Sequence, residues 1–339
     1  MAVQNDILSS TARARSKKAL DNLFTTVPLL DHIKKAGGVE EINGGQRITR
    51  AAILAEHSNI TQLSTGYESI AAGVADVLRS PEFEWCDFVA PIIITKKEEL
   101  SNRGDDAVIS IADARMKSVM GMLKREWEKQ AIAGSSSVLT EMQSLNGFDA
   151  KLGWFEEKAF NDAADPQTNS VGGLSKSTYR TSNWNNQVAS AGGAFNTNRA
   201  GEGAMTDLMI QTQIYAPEGT VDLILASPTS YKLYKQSLRA QEQYVKETVL
   251  DGGRLALAFS GALIYVENNL GFTEGSTKAS MYFLNSKSMK VVFDKEANFS
   301  LSDFQDKSGY AAREAHLYVR TQLVADHLAS MGVLINGEA

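Results

Sequence analysis

The segment DAVISIADARMKSVMGMLKREWEKQAIA, residues 106–133, constrains the fold more than any other part of the chain. Val108, Ala112, Met116, Val119, Leu123 and Trp127 recur every three or four residues, so a helix here carries one apolar stripe. At about 1.5 Å per residue that helix is roughly 40 Å long. Asp105 and Asp106 suit the positive end of its dipole, and Gly134 suits its exit. Arg115, Lys124, Arg125 and Lys129 flank the stripe. A single stripe covers a single surface. The helix therefore needs an apolar surface beneath it and suggests a spine, with its far side in water or against a neighbour.

Strand-forming segments are available on both sides of it. GQRITRAAILAE (45–56) reads as a strand with charge on it, and FEWCDFVAPIIITKK (83–97) as a longer one. Pro91 cannot donate to a ladder, which places that strand at an edge or a bulge. Residues 45–100 show little apolar surface to close over each other, so the pair is expected to lie against something else. Before them, Leu29, Leu30 and Ile33 suggest a short amphipathic helix ending at Gly37-Gly38, preceded by a polar, locally basic stretch with Arg13, Arg15, Lys17 and Lys18.

After the long helix come a linker (SSSV), a compact start (LNGFDAKLGWFEE) and a Gly/Asn/Ser-rich loop over 166–204. MTDLMIQTQIYA reads as a helix and VDLILAS as a buried strand. Ser227 and Pro228 suit the cap and first turn of the helix that follows. RLALAFSGALIYVEN, MYFLNSKSMKVVFD, NFSLSDFQ and the end of GYAAREAHLYVRTQLV have strand character, with Gly261 a bulge or turn. The order is α+β, with no internal repeat.

Composition removes several function classes. The 339 residues carry a formal charge of -6, unlike a dedicated nucleic-acid binder. Cys86 is the only cysteine, so neither an intrachain disulfide nor a cysteine metal cluster can form. His32, His57, His316 and His327 lie far apart, and none makes a helical H-x-x-x-H pair. The N-terminal sequence has no signal-peptide core, and no apolar run approaches the ~18 residues of a membrane span. A soluble protein made in the cytoplasm is expected.

The apparent chemical motifs do not hold up. SVGGLSKSTYRTSNWNNQ (170–187) lacks the G-x-x-x-x-G-K-[ST] spacing that surrounds phosphates, and AGGAFNTNRAGEGAM lacks dinucleotide spacing. Arg103-Gly104-Asp105 reads as a turn before the long helix. Glu98-Glu99 and Glu156-Glu157 are sequence neighbours, which do not face each other on a helix and so make no acid/base dyad. Asn59 and Asn298 match the glycosylation sequon without a secretory signal. No catalytic, cofactor or metal residue is assigned.

The succession of parts resembles the major capsid protein of tailed bacteriophages, with the Hong Kong 97-type fold. The resemblance runs through FEWCDFVAPIIITKKEEL, the long helix, LNGFDAKLG, STYRTSNWNNQ, VDLILASPTSYKLYKQSL, SGALIYVENNLG and MYFLNSKSMKVVF, nearly the whole chain. It implies an N-terminal arm (1–44) and an extended β-hairpin loop (45–100) that packs on a neighbouring subunit. A peripheral domain (101–165 and 291–324) would hold the spine helix 106–133, and 166–290 with 325–339 would form the axial domain. The implied function is a shell of hexamers and pentamers around double-stranded DNA, touched weakly and without sequence preference, in a virion made in the host bacterial cytoplasm.

Arg47, Arg50, Trp85, Arg115, Lys124, Arg125 and Trp184 are expected at subunit contacts, with Trp184 starting a strand. Portal, scaffolding or decoration proteins would be further partners, scaffolding being a separate protein or none. Nothing marks Lys96, Lys97, Asn298 or Asn336 as a crosslinking pair. Two other readings stay open: an encapsulin-type compartment shell, which shares the fold, and a soluble α+β enzyme with an unrecognised site.

Overall fold

The structure, a computed structural model, describes residues 28–54, 64, 66, 77–101, 111–133, 170–175, 178, 184–190, 195–196, 199–216, 218–238, 248–250, 254–267 and 279–335. The basic N-terminal stretch, Val108, the Arg103-Gly104-Asp105 triplet and Gly134 lie outside them.

The first sheet is organised by the 14-residue strand Ala312–Ala325. Cys86–Thr95 pairs antiparallel along one of its edges, from Thr95 opposite Ala312 to Cys86 opposite Thr321. The other edge takes Gln305–Asp306, Ser300–Leu301 and Met289–Asp294 in succession, and Val39–Ile42 runs parallel beyond the last. Pro91 sits opposite His316 in unbroken register on an edge strand, so the edge expectation holds and no bulge is needed.

The long helix is described from Ile111 to Ala133 and packs beside Cys86–Thr95. Residues 106–110 of the expected helix fall outside the described residues. Leu123, Trp127 and Ala131 join Phe293, Val319 and Leu323 in one core, which gives the apolar stripe the surface it required.

The second sheet has seven strands in the order Thr248–Leu250, Arg254–Phe259, Ala262–Val266, Leu223–Ala226, Ala279–Leu284, Gly332–Ile335, Gln187–Ser190. Leu223–Ala226 is central and wholly buried, as its apolar run requires. Ile224 and Ala226 face a core built with Phe195, Met205 and Leu208, supplied by the helix Ala200–Ile214 and the residues before it. Leu223 and Leu225 face the core shared with the first sheet. The helix Pro228–Leu238 starts as its sequence indicated, with the Ser227 hydroxyl accepting the Ser230 N–H at 3.1 Å. Gly261, at φ 92°, makes a hairpin turn between Phe259 and Ala262. MYFLNSKSMKVVFD divides at Asn285–Ser288, giving one strand to each sheet.

Residues 47–54 and 77–84 differ from the expected coreless excursion. The single strand expected over 45–56 is two short ones broken at Arg50: Arg47–Thr49 pairs with Glu82–Glu84, and Ala52–Ile53 with Leu78–Arg79. Ile48, Ala52, Leu54, Phe83 and Trp85 are buried in the chain's own first core. Hydrophobicity that is sparse along the sequence is concentrated on one face of this ribbon, and a core assembled from other segments covers it. Cys86–Thr95, also assigned to the loop from sequence, is a strand of the first sheet.

The GG pair of the 170–187 stretch makes a tight hairpin, with Gly172 and Gly173 at φ 57° and 72°. Gly172 accepts the Glu82 N–H through its carbonyl at 2.9 Å, and a Cβ on it would lie 2.6 Å from Pro81. Gly172 lets two backbones approach closely, whereas Gly173 serves the turn and faces open space.

Candidate functional site

The residues expected at subunit contacts divide into buried and exposed sets. Trp85 is 8% exposed, donates its indole N–H to the Gly45 carbonyl at 3.0 Å and lies under the Arg320 guanidinium. Trp184 is 1% exposed and belongs to the first core; the strand begins three residues later, at Gln187. Both tryptophans are thus held inside their own chain. Each was expected from sequence at a subunit contact; within the chain each is covered by a core drawn from both sheets. Sequence distance hides that core, because Trp184 packs in a cluster that includes Leu30 and Val333.

Arg50 is drawn into a four-charge network at the root of the ribbon. It pairs with Glu40, which also receives Lys290 at 2.9 Å, and Lys290 reaches Asp326 at 3.2 Å. Burial opposes ionisation of Glu40, but hydrogen bonds from Arg50 and Lys290 prevail and hold its carboxyl below the ordinary range. Arg47 stays at the surface, bridging Glu82 at 2.8 Å and Glu84 at 2.9 Å across the ribbon. Arg115, on the long helix, donates to the Ile93 carbonyl and pairs with Glu98 in the short helix Lys96–Ser101 that follows the edge strand. Lys124 is exposed and Arg125 half-buried.

The described residues bring together no catalytic constellation. His32 Nε2 lies 3.0 Å from Asp222 Oδ2, and the Ser286 hydroxyl donates to that same oxygen. Asp222 therefore sits between the other two, whereas an activated nucleophile would need the serine on the imidazole. Burial raises the Asp222 carboxyl, but hydrogen bonds from His32 and Ser286 prevail and lower it. The cluster ties the first helix, Pro28–Lys35, to the second sheet. Among the described residues no group of three or more His, Cys, Asp or Glu could hold a metal, and no helix is long and apolar enough to cross a membrane.

Apolar side chains are exposed in several defined places. Ile53 and Leu78, 74% and 57% exposed, stand directly opposite each other on the ribbon. Val89 and Ile93 flank Pro91 on the edge strand, on the face that carries Tyr318 and His316 from the neighbouring strand. Ile210 and Ile214 lie one turn apart on the helix Ala200–Ile214. Sequence reasoning missed Ile53 and Leu78. The alternation of RITRAAILAE contained the signal: Ile48, Ala52 and Leu54 face in, and Ile53 falls on the outward side with Arg47 and Thr49.

No family model and no curated protein matches the sequence. Solved structures do match. The chain superimposes on the subunit of a cyanophage A-1(L) capsid at TM-score 0.63 and 15% identity, over 96% of this chain and 97% of that one. Against the capsid of a native GTA particle the TM-score is 0.58 at 10% identity, over 95% and 94% of the two chains. Against a holo-encapsulin complex from Synechococcus elongatus it is 0.57 at 12% identity, over 97% and 94%. With its long helix on one sheet, its ribbon rooted beside that sheet and its second, helix-covered sheet, the chain has the Hong Kong 97-type fold.

Proposed function

We propose that this chain is the major capsid protein of a tailed bacteriophage, a structural protein that assembles through hexamers and pentamers into an icosahedral shell around double-stranded DNA. The observation that carries the reading is the likeness to phage-capsid and GTA-capsid subunits along almost the whole of both chains. Side chains such as Ile53, Leu78, Val89 and Ile93 support it, because apolar surface left open on one subunit gains stability when a neighbour covers it.

In this reading the first sheet and long helix form the peripheral domain, and the second sheet forms the axial domain. Arg47, Ile53 and Leu78 on the ribbon meet an adjacent subunit, with Lys124 and Arg125 on the long helix as secondary contacts. The net charge of -6 suits a wall that encloses DNA without gripping it. The protein would be made in the host cytoplasm and reside in the virion, with portal and scaffolding or decoration proteins as further partners.

The likeness to the holo-encapsulin favours one alternative, a compartment shell enclosing a protein cargo. The contents of nuclease-treated particles separate the two. Protected double-stranded DNA in particles from the native source supports the capsid reading; a stoichiometric cargo protein without DNA contradicts it.

A further inference from the structure

The strand Val39–Ile42 of the first sheet and the ribbon strand Arg47–Thr49 are joined by Asn43, Gly44, Gly45 and Gln46, which belong to neither. This joint is fixed at both ends. On the sheet side the Lys295 N–H donates to the Ile42 carbonyl at 3.0 Å, and on the ribbon side the Trp85 indole holds the Gly45 carbonyl at 3.0 Å. Between those anchors Asn43 is exposed. Among the described residues neither its side-chain amide nor the Gly44 N–H has a hydrogen-bond partner. A Cβ on Gly44 would meet nothing within 4 Å, so no neighbour crowds that peptide unit.

The amide carbon of an asparagine is electrophilic, and the backbone nitrogen of the next residue is a nucleophile placed to close a succinimide ring on it. A side chain on that next residue obstructs the closure, and glycine has none. Burial, or a hydrogen bond that holds the amide elsewhere, also opposes it. Other asparagines show the contrast. Asn298 donates its amide to Glu41 Oε1 at 2.8 Å and is followed by Phe299. Asn285 is 1% exposed, donates to the Glu218 carbonyl at 2.9 Å and is followed by Ser286. The pairs Asn146-Gly147 and Asn336-Gly337 lie outside the described residues.

We propose that Asn43 is a self-modification site, at which the chain converts asparagine to aspartate and isoaspartate through a succinimide and so alters the joint between sheet and ribbon. The Gly44 nitrogen attacks Asn43 Cγ. The N–Cγ bond forms, the Cγ–Nδ2 bond breaks, and ammonia leaves with the proton of the Gly44 N–H. Water, the one co-reactant, then opens the ring. Opening at Cγ leaves aspartate in the ordinary chain. Opening at the main-chain carbonyl carbon of Asn43 routes the chain through Cβ and Cγ and leaves isoaspartate. Either product puts a new carboxylate in the joint, and isoaspartate also lengthens the main chain there by a methylene. The Ile42 and Gly45 anchors then no longer span the same length of chain. The site is a property of the subunit and does not rest on the capsid reading.

The test incubates the folded, full-length protein in mildly alkaline buffer at physiological temperature. Conversion is followed by mass in the tryptic peptides 36–47 and 279–287, beside the same two peptides made synthetically. Asn43 should convert in the folded protein within about threefold of its rate in the free peptide, because an exposed joint without hydrogen bonds protects little. Asn285 should convert at least about tenfold more slowly folded than free, because it is buried and bonded. The products at Asn43 should include isoaspartate, which direct hydrolysis of the amide cannot yield. Protein carrying isoaspartate at this position, separated by ion exchange, should show faster hydrogen exchange across Arg47–Thr49 than the unconverted protein. Protection of Asn43 by folding to the extent seen at Asn285, aspartate without isoaspartate, or unchanged exchange across Arg47–Thr49 would each overturn the proposal.

Discussion

Ile53 and Leu78 face each other across the ribbon in direct register, yet both lie open to solvent. Cross-strand apolar pairs stabilise a sheet when they are covered. This one has no cover within the described chain, although Ile48 and Phe83, paired further down the same ribbon, are buried. The ribbon is therefore rooted in its own subunit and apolar beyond the root.

Replacing Ile53 with Ser should leave the unassembled subunit nearly unchanged, within about 0.5 kcal/mol, because the side chain is exposed there. Shell assembly should suffer, since each buried aliphatic contact forgone costs about 1.5–3 kcal/mol. Urea unfolding of the subunit and particle yield, measured on the same variant, check the two halves of this prediction.

Trp85→Ala should behave in the opposite way. The indole packs in the subunit's own core and holds the Gly45 carbonyl, so its loss should cost the subunit about 3–5 kcal/mol before assembly begins. A Trp85→Ala subunit that unfolds at the same urea concentration as the parent would place this side chain at an interface instead.

Along the long helix, Leu123→Ala should destabilise the subunit by about 2 kcal/mol, near the lower end for core truncations because Leu123 is only partly buried. Lys124→Ala, one residue on and exposed, should cost about 0–1 kcal/mol. Equal losses in melting of the two unassembled variants would mean that the helix is rotated from the placement described.

The Glu40 network predicts an acid limb in stability. The Glu40 carboxyl is held below its ordinary value by Arg50 and Lys290, so its contribution is present above 4.5 and is lost as pH falls through the lowered value. Glu40→Gln should flatten the melting curve in that acid range and lower stability near neutrality. An unchanged acid limb would show that the network contributes nothing through Glu40.

Features that repeat locally were legible in the sequence. The stripe ending at Leu123 and Trp127, the apolar run of Leu223–Ala226 and the Ser227 cap each declare themselves within a dozen residues. Pairing over long sequence distance was not legible. Met289–Asp294 looks no different from Ala279–Leu284, yet Val291 pairs with Leu323 while Ile224 pairs with Phe283 in the other sheet. Trp85 and Trp184 looked like interface aromatics because their covering residues are remote in the chain.

Electron microscopy of the purified full-length protein tests the central claim most directly. Closed icosahedral shells with hexamers and pentamers, in which the Ile53–Leu78 ribbon of each subunit contacts its neighbour, are the predicted result. Only monomers or dimers, under every assembly condition of salt, pH and concentration, would contradict it.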